Sequence, residues 1–240
     1  RYLATSVGFL ILVLAVATWV VRRRERMAPH GSQRGVASLS AWWPAATLVW
    51  VCLQGAFGAL TVTWKLYPAI VTLHLLGAMV LLALLCIQAV RYGQAAQSRA
   101  PVPLAPALRA LLWFTAGAVL LQIALGGWVS TNYAVLACTQ FPTCQDSWWP
   151  SMNFAQGFEI WRELGTASHG APIDFSALTA IHYTHRLMAY LVFVSIGLLA
   201  WQLLRHAPAL RAHARWLIGL ALAQLATGLG NVLLGWPLVA

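Results

Sequence analysis

The sequence predicts an all-α membrane protein of about six spanning helices, and three observations predict it. Of the 240 residues, 60% are hydrophobic and only 8% are charged, whereas a soluble domain carries about 25% charged residues. The chain holds six apolar runs, each near the roughly 20 residues that cross a bilayer as a helix. Its basic residues collect in alternate connections instead of spreading over every loop.

The apolar spans are 1–21, 42–63, 68–90, 108–130, 177–204 and 214–236. Each is expected to be a helix, because backbone amides facing lipid find partners only inside their own segment. Arg22, Arg23, Arg24, Arg26 and Arg34 follow the first span; Arg91, Arg99 and Arg109 flank the third connection, and Arg205, Arg211 and Arg215 the last. The opposite side holds only Lys65 and Arg162. Such a bias places loops 22–41, 91–107 and 205–213 in the cytoplasm and loop 131–176 outside it, in the periplasm or extracellular space. Most of the formal net charge of +10 therefore orients the protein against anionic lipid and does not indicate nucleic acid. The outer loop carries Asp146, Glu159, Glu163 and Asp174, with a Trp148-Trp149 pair suited to the membrane interface. The chain opens inside an apolar run at Arg1-Tyr2-Leu3, with no initiator Met and no clear signal-peptide pattern, so it is expected to be cut from a longer protein.

Three spans carry Gln with Gly four residues later: Gln54/Gly58, Gln122/Gly126 and Gln224/Gly228. That spacing puts both residues on one helix face. A small residue there permits close approach and a polar one bonds across. Generic packing explains the pattern as readily as duplication does. A second echo, Arg1-Tyr2-Leu3-Ala4 against Arg186-Leu187-Met188-Ala189, favours duplication.

Ionisable groups inside a span are costly and mark function. His74, His182 and His185 qualify, whereas His30, His169, His206 and His213 lie in or beside loops and read as solvated. Counted from the non-cytoplasmic ends, His74 lies roughly 9 Å deep and His185 roughly 12 Å, at 1.5 Å per residue. Two histidines at similar depth on separate helices suit axial coordination of haem iron. The alternatives are a proton relay, which normally recruits carboxylates that the spans lack, and histidines satisfied by neighbouring helices. His182 and His185, three apart, share a helix face and can address one site. Arg186 beside them can neutralise a haem propionate or another anion, or snorkel to the interface. Cys52 and Cys86 read as small buried hydrophobes. Cys138 and Cys144, in an outer loop, suit a structural disulfide, with a redox-active pair as the alternative.

The stretch from Gln122 through Gly126-Gly127-Trp128 to Cys138 and Cys144, the helix start at His185-Arg186, the run Gly228–Pro237 and the stretch Gln54-Gly55 to His74 resemble the bacterial haem A synthase family over nearly the whole chain. The resemblance implies an eight-helix protein of two pseudo-repeated four-helix bundles, of which this chain is the central part. Residues 1–90 would be the remainder of an N-terminal, substrate-haem half, 91–107 a cytoplasmic linker, and 108–240 a C-terminal, haem b half lacking its last helix. It implies oxidation of the C8 methyl group of haem O to a formyl group, giving haem A for terminal oxidases. His74 and His185 would be axial ligands of haem iron, His182 and Arg186 would support the cofactor, and the catalytic Glu would lie before residue 1. His74 falls sixteen residues after Gly58, and the same step from Gly228 reaches position 244, where the final histidine is expected. Partners implied are haem O, haem O synthase, an electron-transfer protein, membrane lipid and a second copy of the chain, in a bacterial cytoplasmic membrane. Two rivals are a di-haem membrane cytochrome b, which uses the same ligands, and a transporter, whose pathway usually shows charges or broken helices at mid-membrane.

Overall fold

A computed structural model of the chain describes residues 2–26, 42–97, 101–167 and 170–234. His30 and His169, with the run beyond position 234, lie outside the described residues. Among these the helices are α1 (Tyr2–Arg26), α2 (Trp42–Thr63), α3 (Pro68–Ala96), α4 (Pro106–Thr131), the one-turn α5 (Phe154–Gly157), α6 (Phe175–His206) and α7 (Arg211–Leu233). Six of the seven are long and apolar enough to cross a membrane. The protein is thus an all-α, multi-pass membrane protein.

Several helices outrun their apolar spans. α1 continues to Arg26 and α3 to Ala96, between one and two turns past the predicted boundaries. Arg, Ala and Gln are good helix formers, so leaving the apolar region does not end the helix. α7 differs the other way, starting at Arg211 and closing at Leu233. Pro106 opens α4, where its missing N–H costs nothing. Arg205 and His206 sit in the last turn of α6, where cations complement the helix dipole.

Cys52 and Cys86 are exposed, which corrects the expectation that they are buried. An apolar residue on a spanning helix is as stable against lipid as against protein, so hydrophobicity does not report burial there. The same holds for Leu10, Val49, Trp113 and Leu222, all facing outward.

The chain forms two compact units, Arg1–Trp64 with Leu73–Pro101, and Lys65–Thr72 with Val102–Ala240. In the first, polar side chains tie the helices together. Trp50 Nε1 donates to Gly77 O at 2.9 Å and Gln54 Nε2 to His74 O at 2.8 Å. Gln88 Nε2 donates to Thr47 Oγ1 at 2.6 Å, with both residues buried. Thr18 and Tyr92 hydroxyls join α1 to α3 at 3.2 Å. With lipid as apolar as leucine, such bonds and close packing supply the association that hydrophobic burial supplies in water.

In the second unit α4 and α6 pack along their length. Leu108, Leu199, Ala200, Leu203 and Ala214 form an apolar cluster joining α4, α6 and α7. At the other end Ala69, Trp128, Val129, Ala134 and Ile181 form a second cluster. There loop 131–176 folds back onto the helix ends. Trp128 Nε1 donates to Gly157 O at 2.9 Å. Arg162, only 2% exposed, donates to Asn132 Oδ1 and to Thr166 O at 3.1 Å, and its guanidinium lies over the Trp128 ring at 5.9 Å. Burial pulls the Arg162 pKa down from the ordinary arginine value, and the charge of Glu159 opposes that shift. The loop is therefore a folded cap held by a buried cation.

Gly157 fixes how closely α5 sits on α6. A Cβ there would stand 2.7 Å from Ala177 O, a backbone atom that cannot step aside cheaply. Gly157→Ala is expected to loosen the cap by about 2 kcal/mol, a typical overpacking cost. Limited proteolysis should then cut residues 150–173 well before any spanning helix.

Candidate functional site

His74 stands on the second turn of α3. Its imidazole faces α2 at Gly58, where a Cβ would lie 3.2 Å from Cε1 and 3.6 Å from Nε2. One turn along α2, Gln54 donates to the His74 main-chain carbonyl. Gly77 on α3 gives the Gln54 amide its space, since a Cβ at 77 would collide with Gln54 Oε1. His74 Nδ1 is buried with no hydrogen-bond partner.

His185 stands on the third turn of α6 in the same setting. Its imidazole faces α4 at Gly126, where a Cβ would lie 3.1 Å from Cε1. Gln122 Nε2 reaches the His185 carbonyl at 3.2 Å and the ring nitrogens at 3.1 and 3.3 Å. Gln122 Oε1 is buried and unpartnered. The two arrangements agree to 0.1 Å at the glycine (3.2 against 3.1 Å) and to 0.4 Å at the carbonyl (2.8 against 3.2 Å).

His182 and Arg186 have different surroundings. His182, 6% exposed, places Nδ1 3.0 Å from Ala134 O, in the loop. The Arg186 guanidinium donates to Gln140 O at 2.8 Å, Thr143 O at 3.0 Å and Cys138 O at 3.3 Å. Tyr183 donates to Trp148 O. Cys138 and Cys144 form a disulfide with a Cα–Cα distance of 4.9 Å, and both are buried. Thus one stretch of α6 engages the disulfide loop through Arg186, the chain on either side of it through His182 and Tyr183, and α4 through His185. Replacing Arg186 by Leu strands the buried Cys138 carbonyl, at about 1–3 kcal/mol, and frees the part-buried carbonyls of Gln140 and Thr143. Amide hydrogen exchange in residues 138–149 is expected to accelerate at least tenfold.

These settings fit a porphyrin ligand set. An axial imidazole needs an unengaged nitrogen; the orphaned Nδ1 of His74 provides one, and at His185 a ring nitrogen comes free once the Gln122 amide keeps only to the main-chain carbonyl. The helices around them are apolar, as a cofactor site in a helix bundle requires.

Comparison with known proteins decides the family. The family described as cytochrome oxidase assembly protein (COX15-CtaA) matches residues 1–240. The chain belongs to that family. A heme A synthase of Shewanella oneidensis is 32% identical over 241 residues, covering 99% of this chain and 67% of that protein. One from Methylobacterium radiotolerans is 32% identical over 197 residues, covering 78% and 50%. One from Brucella anthropi is 28% identical over 246 residues, covering 99% and 61%. The chain thus spans between half and two thirds of the length of these family members. No solved structure matches it.

Within this family member, sequence reasoning singled out His74, His182, His185, Arg186 and the cysteine pair but missed their partners. Gln54 and Gln122 were read as packing residues or as marks of duplication, although each reaches a histidine. The signal was present: Thr47, Gln54 and Gly58 on α2 repeat the spacing of Thr115, Gln122 and Gly126 on α4. Asn132 and Arg162, which latch the cap, gave no signal at all.

Proposed function

We propose that the full-length protein is a haem A synthase that oxidises the C8 methyl group of haem O to a formyl group. The observation that carries this reading is the twice-built setting of a histidine on a glycine face under a glutamine. It supports two porphyrin sites, one in each half of a duplicated eight-helix protein. Full-chain similarity to heme A synthases supports the reaction.

In this reading His74 binds the substrate haem O and His185 binds a resident haem b. The haem b supplies one-electron transfer, chemistry that side chains do not provide. The rest of the work falls to the protein. Gly58 and Gly126 leave room for the imidazoles, and Gln54 and Gln122 hold the helix turns that carry them. The apolar helix walls exclude water, limiting side reactions at the substrate. His182 and Arg186 support the haem b site from its outer side by fixing the disulfide loop above His185. The protein lies in the bacterial cytoplasmic membrane, with loops 22–41, 91–107 and 205–213 inside and the capped loop 131–176 outside. Haem O synthase would hand over the substrate, and an electron-transfer protein would be a further partner.

The optical spectrum of the purified full-length protein tests the haem sites. A Soret band with the α-band of six-coordinate haem b is expected. A preparation with no Soret absorption, from cells making haem normally, would overturn the reading in favour of a transporter.

A further inference from the structure

Gln54 and Gln122 each spend an amide N–H on the main-chain carbonyl of a histidine on the neighbouring helix, at 2.8 and 3.2 Å. A carbonyl has two lone pairs, so it can take this bond beside its helical one. The bond therefore fixes the rotation and height of the histidine's turn relative to the facing helix, whatever the histidine side chain does. Four residues on, Gly58 or Gly126 meets the ring itself, with Cε1 3.2 or 3.1 Å from where a Cβ would stand. The glutamine thus sets the histidine's backbone and the glycine sets how far its ring approaches the facing helix. Together they define one imidazole placement per site.

From this geometry we infer that Gln54–Gly58 and Gln122–Gly126 are positioning pairs that fix the orientation of the two axial imidazoles and thereby tune the bound porphyrins. The inference rests on the proposed haem ligation by His74 and His185. Groups behind a ligating histidine orient its ring and adjust its basicity, and such contacts are among the levers that set haem potential. The Gln122 amide nitrogen also lies 3.1 and 3.3 Å from the two His185 ring nitrogens; as a donor it can bond only the ring's lone pair, so iron ligation leaves it the main-chain carbonyl alone, as at Gln54. The buried Gln122 Oε1 has no partner, so nothing else engages that end of the amide.

The test uses the purified full-length protein carrying Gln122→Leu, Gln122→Glu or Gly126→Ala, with His185→Ala as reference. Each positioning variant should keep haem b but shift its midpoint, changing the oxidised-to-reduced ratio at the parent's midpoint at least threefold. The low-spin EPR signal should move with it. Helix content by circular dichroism should stay at the parent level, a result that mere structural damage would not give. Gln122→Glu keeps the side chain's size while removing its N–H donors, so it carries the test if Gln122→Leu fails to fold. Parent-like potential and EPR lines in Gln122→Glu and Gly126→Ala, with haem lost in His185→Ala, would overturn the positioning role and leave the haem reading standing. Full haem b retention in His185→Ala would overturn the ligand reading and this inference with it.

Discussion

His185→Ala in the purified full-length protein removes the haem b signal, lowering bound haem b at least tenfold, or 1.4 kcal/mol of binding. The expectation follows from what surrounds the ring. His185 lies against Gly126 and Gln122, and neither can replace an imidazole as an iron ligand. The nearest imidazole along the helix, His182, has its Nδ1 on Ala134 O in the loop. Moving it toward α4 would break that bond. The substitution should nevertheless leave the fold intact, because the Gln122 bond to residue 185 uses the main-chain carbonyl, which alanine retains. Pyridine haemochrome analysis reads the haem content directly. Loss of haem with unchanged helix content supports ligation, and unchanged haem b content contradicts it.

His74→Ala separates the two halves. Conversion of haem O to haem A is expected to fall at least a hundredfold, roughly 2.7 kcal/mol of barrier at 1.36 kcal/mol per tenfold, while the haem b spectrum persists. The same main-chain logic protects the fold, since Gln54 donates to the carbonyl of residue 74 and Trp50 to that of Gly77. The cost comes from the lost imidazole, whose Nδ1 is buried without a partner. Extracted pigments from cells expressing the variant provide the measurement. Haem A at the parent's level would refute the assignment of His74 to the substrate.

The sequence is informative about this molecule where the bilayer constrains it. Spanning helices leave a long apolar run, so α1, α2, α3, α4, α6 and α7 were legible to within about two turns. Ionisable groups in those runs were legible for the same reason, which is why His74, His182 and His185 stood out. Direction along a helix face was less legible. Cys52 and Cys86 looked buried and are exposed, because lipid and protein interior select the same residue types. Loop 131–176 was the least legible part. Its cap depends on Arg162 reaching Asn132 across thirty positions and on Gly157 accepting α6 at backbone distance, contacts that no periodicity encodes. Arg186 belongs to the same class: the sequence allowed it an anion, and the structure gives it the carbonyls of the disulfide loop. Gln54 and Gln122 fall between these cases. Their spacing was visible, but only the fold revealed that each faces a histidine.

Pigment analysis tests the central claim most directly. The full-length protein is expressed in a strain that makes haem O and lacks its own route to haem A, and the haems are extracted and separated. Haem A is expected to appear at the expense of haem O. Bound haem b together with unchanged haem O would contradict the synthase reading and leave a di-haem cytochrome b in its place.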